Sequence, residues 1–328
     1  MRGGALSIWR RPKFYEVNIT MTDITAAMVK ELRETTSAGM LDCKKALVEC
    51  AGDMEKAVDW LRKKGLASAA KKASRIAAEG LVAVAVEGNK GAVVEVNSET
   101  DFVAKNEIFQ DYVRDAAIVA LKNNGDIEAM KACNCPKCGK CFGERLTDMI
   151  AKIGENMNLR RAKVLTVENG IIASYIHNAA GANIGKIGVL VALESSAPAE
   201  KLAELGKHIA MHVAATNPLF LNIANVDPAA VEHEKSIFAE QAAASGKPAN
   251  IIEKMVEGRV RKYYDEVVLE EQLYIMDSDK KVKQVVAEAA KELGADIKIK
   301  DYVCFKLGEG LQKKEEDFAA EVAAQLNK

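Results

Sequence analysis

Asp101 and Phe102 stand side by side in the stretch "SETDFVAKN", residues 98–106. The stretch follows the β-type run "GAVVEVN", so the pair is predicted to lie where a strand ends and the chain turns. Connecting segments run over the protein surface, where an aromatic side chain has little of its own fold to pack against. An acid beside an apolar side chain at such a place is suited to insertion into a site on another protein. The pattern predicts a contact that protrudes from the fold and performs no covalent chemistry.

A second group of reactive residue types is the run "CNCPKCGKC", which contains Cys133, Cys135, Cys138 and Cys141. Cys-x-x-Cys spacing is typical of half of a zinc site, and four thiolates could complete a tetrahedral site. Zinc ribbons normally bring two such knuckles from separate segments, and the sequence contains no second one. A structural zinc that stiffens this loop is one hypothesis, and a loop without metal is the other.

The four histidines are His177, His208, His212 and His233. His208 and His212 have the i, i+4 spacing that can hold a metal on a helix, but their segment offers no acidic third ligand. We expect them to serve packing and hydrogen bonding. His177 follows a β-type run beside a glycine-rich loop, which is a better place for contact with a partner.

Sequence motifs of common enzyme classes are absent. The chain has no P-loop, no G-x-G-x-x-G fingerprint, no H-E-x-x-H and no G-x-S-x-G. A thiol-dependent redox or metal enzyme built on the cysteines is a weak alternative, because no basic pattern would activate one chosen thiol. We expect a protein that is not an enzyme and that needs no cofactor apart from the hypothetical zinc.

Composition narrows the choice of partners. The 328 residues carry a formal net charge of −1, with acids and bases interleaved, whereas nucleic-acid binders usually show a basic excess or face. No apolar run approaches the ~18 residues that a bilayer span requires. We therefore expect a cytoplasmic protein with no direct nucleic-acid partner and no membrane partner.

Residues 1–21 form an extension that precedes the first helical pattern. Four basic residues come before the first acid, Glu16, which leaves an organellar presequence as an alternative, although serine is sparse and Pro12 would interrupt an amphipathic helix. We interpret the extension either as a disordered tail that begins at Met1 or as a mis-called start, in which case Met21 is the first residue.

Residues 22–75 have the pattern of a three-helix bundle. Thr25, Asp42 and Asp53 are the predicted N-caps, and Gly65 is the predicted end of the third helix. The segment "AAKKASR", residues 69–75, is predicted to be a basic linker. Such a bundle is near the lower size limit for independent folding.

The turn "SAGML" between the first two helices carries Met40 and Leu41. One interpretation is that both are ordinary core residues, since methionine and leucine are mostly buried. The other is that the glycine turn exposes them for contact with a partner.

The rest of the chain shows an α+β pattern that occurs twice. Two β-type runs flank "EGNKG" and lead into a helix, and "GIIASYIHNAAGANIGKIGVLVALE" leads into another. We predict two related core subdomains with small antiparallel sheets, residues 76–168 and 169–308. A helical hairpin, inserted at about 227–270, forms an arm that either packs on itself or joins two copies into a homodimer. Residues 309–328 form a C-terminal helical module.

Several long motifs, in one order, resemble the bacterial elongation factor Ts family. They include "ELRETTSAGMLDCKKAL", "EVNSETDFVAKN", "IAKIGENMNLRR", "HIAMHVAATNP" and "SGKPANIIEKMVEGR", and the resemblance runs from about Thr22 to the C-terminus. It implies a ubiquitin-associated-type bundle, two core subdomains, a coiled-coil arm and a short C-terminal module. It also implies a guanine-nucleotide exchange factor that binds elongation factor Tu, both GDP-bound and nucleotide-free.

The resemblance assigns roles to individual residues. The family's turn that disturbs the partner's Mg²⁺ site and promotes exchange of GDP for GTP corresponds to Thr100, Asp101, Phe102 and Val103. The remaining implied partner contacts are Arg33, Met40, Leu41, Ile153, Gly154 and His177. The alternative from another class is a non-catalytic, ubiquitin-associated-like binding scaffold with no effect on nucleotide, which would not need the protruding turn.

Overall fold

The computed structural model describes residues 24–36, 38–134, 141–243 and 248–312. Their chain divides into two compact units, one ending at Gly65 and the other beginning at Leu66. The architecture is α+β, as predicted. The predicted extension, residues 1–21, lies outside the described residues, as do residues 313–328 of the predicted C-terminal module.

The first unit contains the predicted helices, α1 (Ala26–Thr36), α2 (Met40–Glu49) and the start of α3 (Met54–Lys72). Two of the predicted caps are confirmed, because Thr25 accepts a hydrogen bond from the Met28 amide at 3.3 Å and Asp53 accepts one from the Lys56 amide at 3.0 Å. These bonds satisfy amides that the first turn of a helix leaves free. The small core between the helices consists of Val29, Leu32, Cys43, Ala46, Leu47 and Ala57.

Two expectations about these helices are wrong. Asp42 is not an N-cap, because α2 begins at Met40 with Gly39 in the capping position. Gly65 does not end α3, which continues to Lys72 and includes the first residues of the predicted linker. A glycine inside a helix costs only about 1 kcal/mol relative to alanine, and strong helix formers such as Leu66 and Ala67 follow it.

The second unit is built on a six-stranded antiparallel sheet. Its first half contains β1 (Glu79–Glu87), β2 (Lys90–Ser98) and β3 (Met157–Thr166). Its second half contains β4 (Gly170–Gly181), β5 (Ile184–Ser195) and β8 (Ile297–Lys306). The two halves join where Val82 and Ala83 of β1 pair with Gly185 and Ile184 of β5. The two predicted small sheets are therefore continuous.

Helices cover the first half of the sheet. They are α4 (Asp101–Ala104), α5 (Glu107–Lys122), α6 (Ile127–Ala132) and α7 (Phe142–Ile153). Helix α5 buries Phe109 and Tyr112, and the Tyr112 ring stacks on Phe142 of α7 with ring centroids 4.3 Å apart. This packing fixes the frame from which β2 and α4 emerge.

The second half has its own core and carries the predicted arm. Helix α8 (Ala199–Thr216) packs on the sheet, and the two helices of the arm follow as α9 (Pro228–Ala243) and α10 (Ala249–Val267). Val231 of α9 and Val260 of α10 lie in one apolar cluster. The chain returns through β6 (Leu273–Tyr274), β7 (Asp277–Lys281) and α11 (Val282–Leu293) to β8. Pro248 caps α10, whereas Gly246 lies outside the described residues.

Candidate functional site: the turn after β2

The predicted contact turn is a single helical turn, α4, directly after β2. Thr100 occupies its N-cap position with extended backbone angles. Val103 and Ala104 are buried in the core beneath β1, β2 and α5, whereas 75% of the Phe102 side-chain and backbone surface is exposed. One turn of helix has an inner and an outer face, so the buried Val103 holds the turn while Phe102 points outward. Val103 is thus an anchor of the turn.

Lys105 contacts both exposed residues of the turn. Its ammonium nitrogen lies 3.3 Å from Asp101 Oδ2 and 5.3 Å from the centroid of the Phe102 ring. Because all of these groups are open to solvent, each contact is worth at most about 1 kcal/mol. Asp101 and Phe102 can therefore exchange Lys105 for groups of a partner at little cost.

A pair of carboxylates holds the base of the turn. Glu155 accepts one hydrogen bond from the Thr100 amide at 3.0 Å and another from the Thr100 hydroxyl at 2.8 Å. Glu99, the residue before Thr100, accepts a hydrogen bond from the amide of Asn156, the residue after Glu155. Glu99 also accepts a hydrogen bond from the Arg75 guanidinium at 3.3 Å. The segment that follows α7 is therefore bonded directly to the segment that follows β2.

Ile153 and Gly154 lie at this same place, as the final residue and the C-cap of α7. Ile153 is partly buried against the first-half core, and Gly154 is exposed with a φ of 90°. A positive φ is readily adopted by glycine, and here it turns the chain out of α7 so that Glu155 reaches Thr100. The structure thus brings Ile153 and Gly154 beside the turn.

His177 lies elsewhere, on β4 in the second half of the sheet. Its ring is exposed, and its Nδ1 is 3.2 Å from the Tyr175 hydroxyl. The three predicted contacts of the first unit are also at the surface: Arg33 is exposed on α1, and Met40 and Leu41 at the start of α2 are 57% and 83% exposed. Met40 and Leu41 are therefore not core residues.

His212 has the packing and hydrogen-bonding role expected from the sequence. It is fully buried, its Nδ1 accepts from the Ile275 amide at 3.3 Å, and its Nε2 is 2.9 Å from Gln272 Oε1. Because Nδ1 accepts, the proton of the neutral ring sits on Nε2 and is donated to Gln272. Burial lowers the pKa of His212, and the hydrogen bond to Gln272 opposes this only in part.

The cysteine loop is described only at its two ends. The Phe142 amide donates to the Cys133 carbonyl at 2.8 Å, and Asn134 pairs with Cys141 in an isolated bridge, so the ends of the loop lie together. Cys135 and Cys138 fall outside the described residues. Within the parts of the chain that the structure describes, no three His, Cys, Asp or Glu side chains form a group that could hold a metal.

A buried carboxylate on β2 was missed from the sequence. Glu95 is fully buried and accepts hydrogen bonds from Arg160 at 2.9 Å and from the Gly308 amide at 2.9 Å, as well as from Arg161 and Asn97. Burial alone would raise the pKa of Glu95, but these donors outweigh it and the pKa is lowered. The network ties the strand that carries the turn to β3 and to the chain after β8. The sequence signal that could have indicated it is the single acid in the otherwise apolar β-type run "GAVVEVN".

These features define a class: an α+β protein with an exposed acid and an exposed aromatic side chain on a helical turn that is anchored in its core. No helix within the described ranges is long and apolar enough to cross a membrane. A family model described as "Elongation factor TS" matches residues 99–309.

Curated relatives agree over almost the full chain. Elongation factor Ts of Paramagnetospirillum magneticum is 58% identical over 305 residues, covering 93% of this chain and 98% of that protein. Elongation factor Ts of Rhodospirillum rubrum is 58% identical over 309 residues, covering 94% of this chain and 100% of that protein. The chain belongs to the elongation factor Ts family of translation elongation. Proteins of this family are nucleotide-exchange factors, not catalysts of covalent chemistry.

Proposed function

We propose that this chain binds elongation factor Tu in its GDP-bound form, disturbs the Mg²⁺ and phosphate site with Asp101 and Phe102, and so promotes release of GDP and exchange for GTP. The observation that carries the proposal is the contrast within α4, where Phe102 is 75% exposed and Val103, the next residue, is 4% exposed. A turn anchored in this way can push an apolar side chain into a partner without collapsing onto its own fold.

The chemistry of the nucleotide site explains why such a turn is sufficient. A GTPase holds GDP largely through phosphate contacts and through a Mg²⁺ ion that bridges phosphate oxygens to the protein. Phe102 would enter between side chains that support the ion, and Asp101 would bring negative charge close to the phosphates. Both effects weaken GDP without breaking a covalent bond.

Thermodynamic linkage turns this disturbance into exchange. If the chain binds nucleotide-free elongation factor Tu more tightly than the GDP-bound form, it must weaken GDP by the same factor. A coupling of ~4 kcal/mol would change the affinity about a thousandfold, since each 1.4 kcal/mol is tenfold. GTP reverses the same linkage and releases the exchange factor.

The first unit would supply affinity. Met40 and Leu41 present apolar surface to solvent, with Arg33 exposed on the preceding helix. Adjacent exposed apolar side chains are typical of docking surfaces. Because the bundle is tethered, its contacts with elongation factor Tu become partly intramolecular once the second unit has bound.

The primary test is release of a fluorescent GDP analogue from elongation factor Tu, with and without this protein. The protein should speed release strongly when Mg²⁺ is in excess. It should speed release much less after the ion is removed by a chelator, because the site to be disturbed is then already incomplete. Equal acceleration in both conditions would contradict action through the Mg²⁺ site, and no acceleration in either would contradict exchange activity altogether.

The docking role is tested with the double variant Met40→Ala, Leu41→Ala. The concentration for half-saturation should rise about tenfold, since two truncated apolar contacts together cost roughly 1.4 kcal/mol. The plateau rate at saturation should remain that of the wild type. A lower plateau with unchanged half-saturation would show that the bundle takes part in the exchange step. Val48→Ala, at another exposed apolar position of α2, is the matched control.

A passive binding scaffold is the competing function. It would bind elongation factor Tu without changing the release rate at any concentration. The protruding Phe102 argues against it, because an adaptor gains nothing from an anchored wedge beside an acid.

A homodimer through the arm is a separate hypothesis about partners. Val231 and Val260 pack within the arm, while Ile251 and Met255 of α10 remain 43% and 36% exposed and could meet a second copy. Analytical ultracentrifugation of the wild type and of Ile251→Glu tests it. A dimer that the substitution dissociates would support the hypothesis, and a wild-type monomer at all concentrations would contradict it.

A further inference from the structure

We propose that Glu155 is a positioning residue for nucleotide exchange: its carboxylate fixes the direction in which the α4 turn presents Asp101 and Phe102. The inference rests on the proposed function and adds to it a residue that touches neither nucleotide nor ion. It is carried by the geometry between the end of α7 and the start of α4.

Both carboxylate oxygens of Glu155 accept hydrogen bonds from the same residue, Thr100. Oε2 accepts from the Thr100 amide at 3.0 Å, and Oε1 accepts from the Thr100 hydroxyl at 2.8 Å. Two bonds from one side chain to one residue fix orientation as well as distance. Hydrogen bonds to a charged acceptor are also about twice as strong as neutral ones.

Thr100 would otherwise be a typical N-cap. In that position a threonine hydroxyl usually accepts from an amide of the first helical turn, yet here it makes no such capping bond. The hydroxyl donates to Glu155 instead. The start of α4 is therefore held from outside the helix, across a sequence separation of 55 residues.

The contact is reciprocal, which makes the attachment rigid. Glu99, the residue before Thr100, accepts from the amide of Asn156, the residue after Glu155. The Asn156 side chain in turn donates to the Arg75 carbonyl at 2.7 Å. Gly154, with its φ of 90°, sets the chain direction that makes both bonds reachable.

The consequence for exchange lies in Phe102. Val103 and Ala104 fix the inner side of α4 by burial, but the outer side has no such support. With Glu155 in place, the amide and the hydroxyl of Thr100 are both held, and Asp101 and Phe102 follow from this fixed point. Without it, the Thr100 carbonyl keeps its hydrogen bond from the Ser98 hydroxyl at 2.9 Å. One such bond leaves the turn able to tilt about its buried side, so Phe102 would reach the partner in many orientations. Pre-organisation of this kind acts on the step in which the site is disturbed.

The experiment compares Glu155→Ala, Glu155→Gln and Thr100→Val in the GDP-release assay with intact elongation factor Tu. Glu155→Ala should lower the plateau rate about tenfold, or about 1.4 kcal/mol, which is near the lower end of what one hydrogen bond to a charged group contributes. Half-saturation should change less than the plateau. Glu155→Gln keeps one acceptor oxygen and should lose about threefold, and Thr100→Val, which removes only the hydroxyl, should lose about threefold.

The double variant tests whether the two residues act through each other. If Glu155 works through Thr100, then Glu155→Ala combined with Thr100→Val should be no slower than Glu155→Ala alone, whereas independent roles would multiply to about thirtyfold. The control is Glu128→Ala on α6, which removes an exposed carboxylate bonded to Lys131 and should leave the plateau unchanged.

Thermal unfolding of each variant separates positioning from general stability. A purely structural role would lower the unfolding temperature and leave the plateau rate of the folded protein intact, which overturns the proposal. If Glu155→Ala does not fold, Thr100→Val decides, and an unchanged plateau in that variant overturns the proposal equally. Wild type that fails to speed release overturns the proposed function and this role with it, whereas active wild type matched by Glu155→Ala overturns only this role.

Discussion

The two halves of the sheet are built on one plan but end their central strands differently. Each half has a hairpin, then helices, then a third strand beside the hairpin's second strand, so that β2 lies between β1 and β3, and β5 lies between β4 and β8. Each second strand also ends at a buried serine whose hydroxyl bonds the backbone two residues on, Ser98 to the Thr100 carbonyl and Ser195 from the Ala197 amide.

After those serines the similarity stops. Beyond Ser195 the chain passes Pro198 and enters α8 directly, and its early residue Leu202 is fully buried. Beyond Ser98 it makes the extra turn α4 and exposes Phe102 before α5 begins. The frame is shared, so the difference in surface chemistry comes from one short connection. Under the proposed function, the exchange activity would reside in this one connection, which is held by a scaffold that both halves share.

The halves also differ in what separates their helices. In the first half, α6 and the cysteine loop lie between α5 and α7. In the second half, the arm formed by α9 and α10 lies between α8 and α11. The cysteine loop and the arm thus occupy corresponding positions in the two repeats, where insertions leave the sheet undisturbed.

Phe102→Ala should produce the largest effect. Removing an anchoring aromatic commonly costs ~2 kcal/mol or more, so stimulated GDP release should fall about thirtyfold. The fold should be unaffected because the side chain is mostly exposed. The measurement is the plateau rate of GDP release together with the thermal unfolding temperature.

The matched control for this prediction comes from the other half. Leu219, after α8, is 63% exposed, and Leu219→Ala should leave the release rate unchanged. If both variants, or neither, slowed release, the assignment of exchange to the connection after β2 would be wrong.

Val103→Ala should act on stability instead. The side chain is 4% exposed within the first-half core, and removing its two methyl groups should cost ~2 kcal/mol of unfolding free energy. Denaturant unfolding measures this. Val86→Ala, at a 41% exposed position of β1, should cost less than about 0.5 kcal/mol. Equal losses for the two variants would show that Val103 does not anchor the turn.

The sequence predicted the elements that have a strong local signal. The hairpin reversal at "EGNKG", the helix after "AKN" and the two arm helices all follow from turn residues and apolar periodicity. Asp101 and Phe102 could be singled out because a connecting segment at a strand end offers an aromatic side chain little of its own fold to pack against.

Other features depend on contacts that sequence patterns do not show. The inward direction of Val103 results from the position of α4 over the core, and the partner of Thr100 lies 55 residues away. Strand β3 was not predicted because Arg160, Arg161 and Lys163 obscure its alternation, and the structure explains two of them as partners of Glu95 and its surroundings. Gly65 does not end its helix as the sequence predicts, because it is buried inside α3 and the surrounding packing offsets the low helix propensity of glycine.

The two halves should also lose stability in different pH ranges, an effect smaller than those of the substitutions above. Burial lowers the pKa of His212 below its usual 6.5, so its neutral form is favoured in the fold. Stability from this residue is full above pH 6.5 and is lost as the pH falls below it, by at most about 1.4 kcal/mol per pH unit. Glu95 in the first half, with its pKa lowered from 4.5, loses its contribution only below about pH 4.5.

Unfolding free energies measured between pH 7.5 and 5 test whether the His212 contribution is lost before that of Glu95. The slope in that window should disappear in His212→Gln, whatever the absolute stability of the variant, and should persist in His177→Gln, where the ring is exposed. A slope that survives in His212→Gln would show that another group is responsible.

Replacing Cys133, Cys135, Cys138 and Cys141 with serine should have the smallest effect on exchange, within about twofold of the wild-type plateau. The loop belongs to the inserted position between α6 and α7, and its described closure is a backbone bond from the Phe142 amide to the Cys133 carbonyl, which needs no thiol. If the loop holds a structural zinc, elemental analysis of the wild type should find about one zinc per chain and the four-serine variant none. Cys304→Ser on β8 should retain the metal. Wild-type protein without zinc would contradict the metal hypothesis. A large loss of exchange in the four-serine variant would show that the inserted loop, and not the connection after β2 alone, sets the first half apart from the second.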